Sequence, residues 1–137
     1  MAVERILDAS VLASALFPEA QTDRARAWLT TDTVFLAPDL LLVEMASIAA
    51  KKVRRGVVDQ AQAEVALDQV GELITQSVPS RDHYRRAYAL AAEHGFSAYD
   101  GLYLALAEAR GSSVLTADEK LVRRAGEVGL AALVEAL

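Results

Sequence analysis

The chain predicts an α/β fold, a parallel sheet of about four to five short strands covered by helices. Three observations carry this expectation. Short apolar runs alternate with longer segments of helical periodicity along the whole chain, no Asn-Gly or Asp-Gly hairpin joins two of the runs, and Asp100-Gly101 sits inside a helical pattern. Such alternation needs crossover connections, which helices supply and which close right-handed. At 137 residues the chain reads as one domain, 1–137, large enough to bury roughly 68% of the surface its unfolded form exposes.

Taken in order, Val3-Glu-Arg-Ile-Leu7 alternates as a strand and leads through Asp8-Ala-Ser10 into a short helix, Val11 to Phe17, that Pro18 stops. A second helical piece covers Asp23 to Leu29. Val34-Phe-Leu36 is the next apolar run, and Pro38-Asp39 opens a long helix that Gly56 ends near Arg55. Ala63, Ala66, Leu67, Val70, Leu73 and Ile74 keep helical spacing, and a third strand is expected near Ile74 to Val78. Tyr84, Ala87, Tyr88 and Ala91 mark a further helix, closed by Gly95. In the following helix, Ala98 to Arg110, Tyr99, Leu102, Tyr103 and Leu106 form a core-facing stripe. Gly111 to Thr116 holds a fourth strand, Ala117 to Ala125 a last helix, and Leu130 to Val134 an edge strand. No internal repeat or linker interrupts this order.

Composition excludes several chemistries. There is no cysteine, so disulfides, thiolate zinc sites and cysteine nucleophiles are out, and a reducing cytoplasm is the natural setting. The amino end reaches Asp8 before any apolar run of signal-peptide length develops. The most apolar run, Leu40 to Ala50, is broken by Glu44 and falls short of the ~20 residues a bilayer needs. With 14 basic and 19 acidic side chains the net charge is −5. That argues against a protein that coats nucleic acid, though not against a nuclease whose acids hold cations.

Four acids stand out. Asp8 and Asp118 both follow strands, at the carboxyl edge where open parallel sheets bind ligands. Asp100 lies in the first turn of its helix behind Ser97, a position that also suits an N-terminal cap and the helix dipole. Glu44 emerges from Leu40-Leu-Leu-Val-Glu-Met-Ala-Ser-Ile, a largely apolar helix, where a carboxylate is costly unless paired, protonated or bound to a metal. Asp8 or Ser10 could cap the helix after the first strand. In Thr116-Ala-Asp-Glu119, a capping box would use Glu119 and leave Asp118 free. Caps explain Asp8, Asp100 and the Thr116–Glu119 stretch singly, and an exposed edge or an ion pair with an arginine would explain Glu44; a hard divalent cation such as Mg²⁺ or Mn²⁺, bound through carboxylate oxygens, explains the four acids together.

The stretches Leu7-Asp-Ala-Ser-Val-Leu, Leu41-Leu-Val-Glu44, Ala98-Tyr-Asp-Gly-Leu-Tyr-Leu-Ala-Leu-Ala-Glu108 and Val114-Leu-Thr-Ala-Asp-Glu-Lys-Leu121 resemble, in this order, the motifs of PIN-domain ribonucleases, specifically the VapC-like toxins of toxin/antitoxin modules. The resemblance covers nearly the whole chain. It implies a three-layer α/β/α sandwich and a Mg²⁺- or Mn²⁺-dependent site cleaving RNA, with Asp8, Glu44, Asp100 and Asp118 as the catalytic, metal-holding acids and Ser10 and Thr116 as supporting hydroxyls. Leu121 departs from the pattern, standing where many members carry an aromatic residue. The resemblance further implies a cognate antitoxin and a homodimer, for which Leu16, Phe17, Trp28 and the Leu40 to Ile48 helix offer apolar surface.

The chemistry expected is hydrolysis of an RNA phosphodiester by in-line attack of water, leaving 5′ phosphate and 3′ hydroxyl ends. A metal lowers the pKa of water, so no histidine base is needed. His83 and His94 lack metal-ligand spacing and read as structural or solvent-facing. Three basic groups could guide RNA: Lys51, Lys52, Arg54 and Arg55; Arg81, Arg85 and Arg86; and Lys120, Arg123 and Arg124. Two rivals remain, a catalytically silent binding module of the same fold and a metal-dependent phosphotransfer domain. The chain lacks the late lysine and the paired Asp-x-Asp that phosphotransfer domains of the receiver and haloacid types use.

Overall fold

The computed structural model describes residues 3–137. Five strands, β1 (Glu4–Leu7), β2 (Val34–Pro38), β3 (Gln76–Val78), β4 (Val114–Thr116) and β5 (Val134–Ala136), form one sheet in the order β3-β2-β1-β4-β5. All neighbours run parallel, with Ile6 paired to Leu36 on one side and to Val114 on the other. The helices are α1 (Ala9–Leu16), α2 (Thr22–Leu29), α3 (Leu40–Arg54), α4 (Gln60–Leu73), α5 (Tyr84–His94), α6 (Ala98–Arg110) and α7 (Glu119–Glu127).

The connections explain the layering. The chain steps outward from β1 to β2 to β3, then returns across the sheet to β4 and β5. Right-handed crossovers that step in opposite directions lie on opposite faces. One layer therefore holds α1 to α4, with α1 against α2 and α3, and α3 against α4; the other holds α5 to α7, with α5 packed along α6. The expected three-layer sandwich is the observed one. Its core is Ile6, Leu7, Leu36, Val114 and Leu115 of the sheet between Leu12, Leu41 and Met45 on one side and Leu104 and Leu106 on the other. Each such side chain, fully buried, contributes about 1.5–3 kcal/mol.

Several expectations change in detail. The last strand lies at Val134–Ala136 rather than from Leu130, because a 3-10 turn at Ala131–Leu133 intervenes and turns the chain into the edge position beside β4. Tyr99 does not face the core: it is 64% exposed, while Leu102, Tyr103 and Leu106 are buried. It is only the second residue of α6, ahead of the turns that pack on the sheet. Phe17 is core rather than interface, buried beside α1, and Leu41 and Met45 are buried too, whereas Leu42 and Val43 are exposed. Leu121, the departure from the aromatic pattern, is buried and part of the core. His83 precedes α5, and His94 ends it edge-on to Phe96.

Gly101 sets the spacing of the second layer. A Cβ there would stand 2.6 Å from the Ala87 carbonyl oxygen, so α5 and α6 meet backbone to backbone. This close approach seats α6, whose first turn carries Asp100, against both α5 and the sheet.

Candidate active site

The strand order reverses at β1, and in open parallel sheets the crevice at such a switch point, beyond the carboxyl ends, is where ligands bind. Asp8 directly follows β1 and Thr116 ends β4, the neighbouring strand. Asp8 occupies the N-cap position of α1 yet makes no side-chain cap bond. Its Oδ2 instead accepts from Ser10 Oγ at 2.6 Å and from Thr116 Oγ1 at 2.7 Å. Each hydroxyl, having given its proton to Asp8, accepts a backbone N–H: Ala117 donates to Ser10 Oγ and Asp118 to Thr116 Oγ1, both at 3.0 Å. Two polarised relays thus tie the loop after β4 to the acid after β1.

This arrangement corrects the expected capping of α7. Thr116 Oγ1 accepts from Asp118 N, and α7 begins only at Glu119, so no Thr116–Glu119 box forms. Asp118 is itself the cap, its Oδ1 accepting from Lys120 N at 3.0 Å and Leu121 N at 3.3 Å. For α6 the cap is Ser97, whose hydroxyl accepts from Asp100 N at 3.0 Å. Glu44, one turn into α3, accepts from the phenol of Tyr103 at 2.6 Å.

The four acids share one electrostatic neighbourhood. Burial pushes the Asp8 carboxyl above its ordinary range; its two hydroxyl bonds oppose this, and Asp118 raises it further. Glu44 is raised by burial and by the charges of Asp8 and Asp100, with Tyr103 acting the other way. Asp100 is raised by burial, then by Asp8 and Asp118, with Ser97 and Arg124 partly offsetting. Carboxylates that raise one another are close and short of counter-charge. Neither histidine takes part.

The donor set is carboxylate oxygen throughout, which suits a hard cation rather than zinc or copper. Among the described residues, no three acids or histidines are gathered into a ready ligand cluster. Donors of this kind fit Mg²⁺ or Mn²⁺, which use one or two carboxylates and keep several waters.

Two residues add to the site beyond the acids read from the sequence. Tyr103 was placed in the core by its spacing, but a buried tyrosine usually finds a partner for its hydroxyl, and that was the available signal. Arg124 is held by Phe96, with the guanidinium 5.4 Å from the ring centre, and by the Gly95 carbonyl at 2.7 Å. Other members of the basic groups are engaged elsewhere: Lys52 with Glu19, Arg86 with Glu108 and Arg123 with Glu127.

Known proteins resemble this chain over most of its length. The family model described as PIN domain matches residues 5–127. Ribonuclease VapC3 of Pyrobaculum aerophilum is 31% identical over 121 residues, covering 87% of this chain and 92% of the relative. Ribonuclease VapC1 of Mycobacterium tuberculosis is 28% identical over 123 residues, covering 90% and 92%. The crystal structure of PAE2754 from Pyrobaculum aerophilum aligns with a TM-score of 0.70 at 25% identity, covering 90% of this chain and 81% of that one. The family model and these relatives span almost the full length of the chain, which belongs to the PIN-domain family, among proteins of the VapC type.

Proposed function

We propose that this protein is a ribonuclease that hydrolyses RNA phosphodiesters with the help of Mg²⁺ or Mn²⁺, and that it acts as the toxin of a toxin/antitoxin pair. The observation that carries the reading is Asp8, bound by Ser10 and Thr116 across the β1–β4 switch point, with Glu44, Asp100 and Asp118 in its electrostatic field. Both relatives are named as ribonucleases.

In this reading Asp8, Glu44, Asp100 and Asp118 hold the cation. When bound, it offsets their mutual repulsion, lowers the pKa of water and neutralises charge on the phosphate. The water oxygen bonds to phosphorus in line as the P–O3′ bond breaks, giving 5′ phosphate and 3′ hydroxyl ends. The attacking water gives up a proton to solvent, and the departing 3′ oxygen takes one up. Arg124, fixed over Phe96 and felt by Asp100, offers a cation to a neighbouring phosphate.

A second copy and an antitoxin are the proposed partners. Exposed Leu42 and Val43 on α3 support a dimer face. A cleft of about 460 Å³, lined among others by Pro18, Arg26, Val57, Val58 and Val65, supports a docking groove for an apolar antitoxin segment. Among the described residues, no helix is long and apolar enough to cross a membrane, and a cytoplasmic location is part of this proposal.

The test is incubation with total cellular RNA in Mg²⁺, in Mn²⁺ and in chelator, with 5′ ends mapped. Cleavage that needs either ion and disappears in Asp100→Asn is expected. Cleavage unchanged by chelator and by Asp100→Asn would overturn the reading.

A further inference from the structure

We propose that Tyr103 is the positioning residue of the metal site, setting the Glu44 carboxylate so that one oxygen is spent on the phenol and the other is left for the cation. The inference rests on the reading above that Glu44 is a ligand. Glu44 has several rotatable bonds, sits half-buried on a mostly apolar helix, and feels only acids among the charged groups around it. Among the described residues its sole side-chain donor is the Tyr103 hydroxyl, at 2.6 Å to Oε1, and no hydrogen bond ends on Oε2.

The chemical type of the partner matters. An arginine or lysine in this place would orient Glu44 but cancel the charge that attracts a cation. A phenol donates one hydrogen bond and stays neutral, so it fixes the carboxylate and leaves its charge available. The ring itself cannot wander, because Tyr103 is buried in α6, between Leu102 and Leu104 of the same helix, which are buried too. Since α3 and α6 belong to opposite helical layers, this bond also sets one layer's acid against the other. Outer partners that hold a ligating side chain commonly change metal affinity by about 10- to 100-fold when removed.

The experiment measures Mn²⁺ affinity by calorimetric titration of wild type, Tyr103→Phe, Glu44→Gln and the double variant, with thermal melts in chelator to establish that each is folded. Tyr103→Phe is expected to weaken Mn²⁺ binding about 10- to 100-fold, and to have no further effect once Glu44 is already Gln. A role in packing alone would weaken binding equally in both backgrounds, and that result, or wild-type affinity in Tyr103→Phe, would overturn the proposal. Tyr103→Met, which also removes the donor and leaves Glu44 intact, is expected to reproduce the loss and serves if Tyr103→Phe melts too low to titrate. Wild type that takes up no Mn²⁺ would overturn the acid-site reading and this inference together; failure confined to the Tyr103 arm leaves that reading standing.

Discussion

At the scale of single residues, the roles of capping and of metal holding are separable at Asp100. The cap of α6 is the Ser97 hydroxyl acting on the Asp100 backbone N–H, which any residue at that position retains. The Asp100 carboxylate adds burial cost and repulsion from Asp8 and Asp118. Asp100→Asn is therefore expected to melt at or above the wild-type temperature in chelator at pH 7.5, and to gain less from Mg²⁺. A melt several degrees lower in chelator would mean that the carboxylate itself holds the helix. Ser97→Ala is the contrasting change, expected to cost about 1 kcal/mol with or without metal.

Among the elements, the α5–α6 contact governs where Asp100 stands. Glycine inside a helix costs about 1 kcal/mol relative to alanine, so on propensity alone Gly101→Ala would stabilise. The Cβ it adds would meet the Ala87 carbonyl at 2.6 Å, and the obstacle is backbone, which cannot rotate away. Separating two packed helices to admit a methyl group costs about 1–3 kcal/mol, so the net expectation is destabilisation. Urea unfolding of Gly101→Ala checks this, and a variant more stable than wild type would show that the helices part freely.

For the whole molecule, the acid edge makes stability depend on pH and on cations. Asp8, Glu44 and Asp100 are all raised in the folded protein. Between the unfolded carboxyl values, near 4, and the raised folded values, the native state binds more protons than the unfolded chain. Their contribution therefore falls as pH rises through that window and levels off above it. Glu108 works the opposite way, lowered by Arg86, but that pair is largely exposed and weighs little. A cation that binds only the native site restores stability, by about 2.7 kcal/mol at a hundredfold excess over its dissociation constant. Melts from pH 4.5 to 8 should show a decline in chelator that Mg²⁺ removes at the upper end; identical curves with and without Mg²⁺ would count against a cation site.

What the sequence by itself determined is whatever local chemistry decides: strand and helix order, helix ends at Gly56 and Gly95, the Ser97 cap, and Glu44 as an acid out of keeping with its apolar helix. The parallel sheet followed too, because alternating strands and helices leave few other ways to bury both faces. Only the tertiary structure decided which bonds the four acids make. Asp8 was a plausible cap until β4 brought Thr116 to it; Thr116 itself ends β4 and accepts from Asp118 N, which leaves the cap of α7 to Asp118. Tyr103 and Tyr99 looked alike by periodicity, yet one is buried against Glu44 and the other lies at the exposed end of α6. Each of these outcomes depends on a partner from a distant segment, and side-chain hydrogen bonds are short and directional, so spacing along one helix cannot report them.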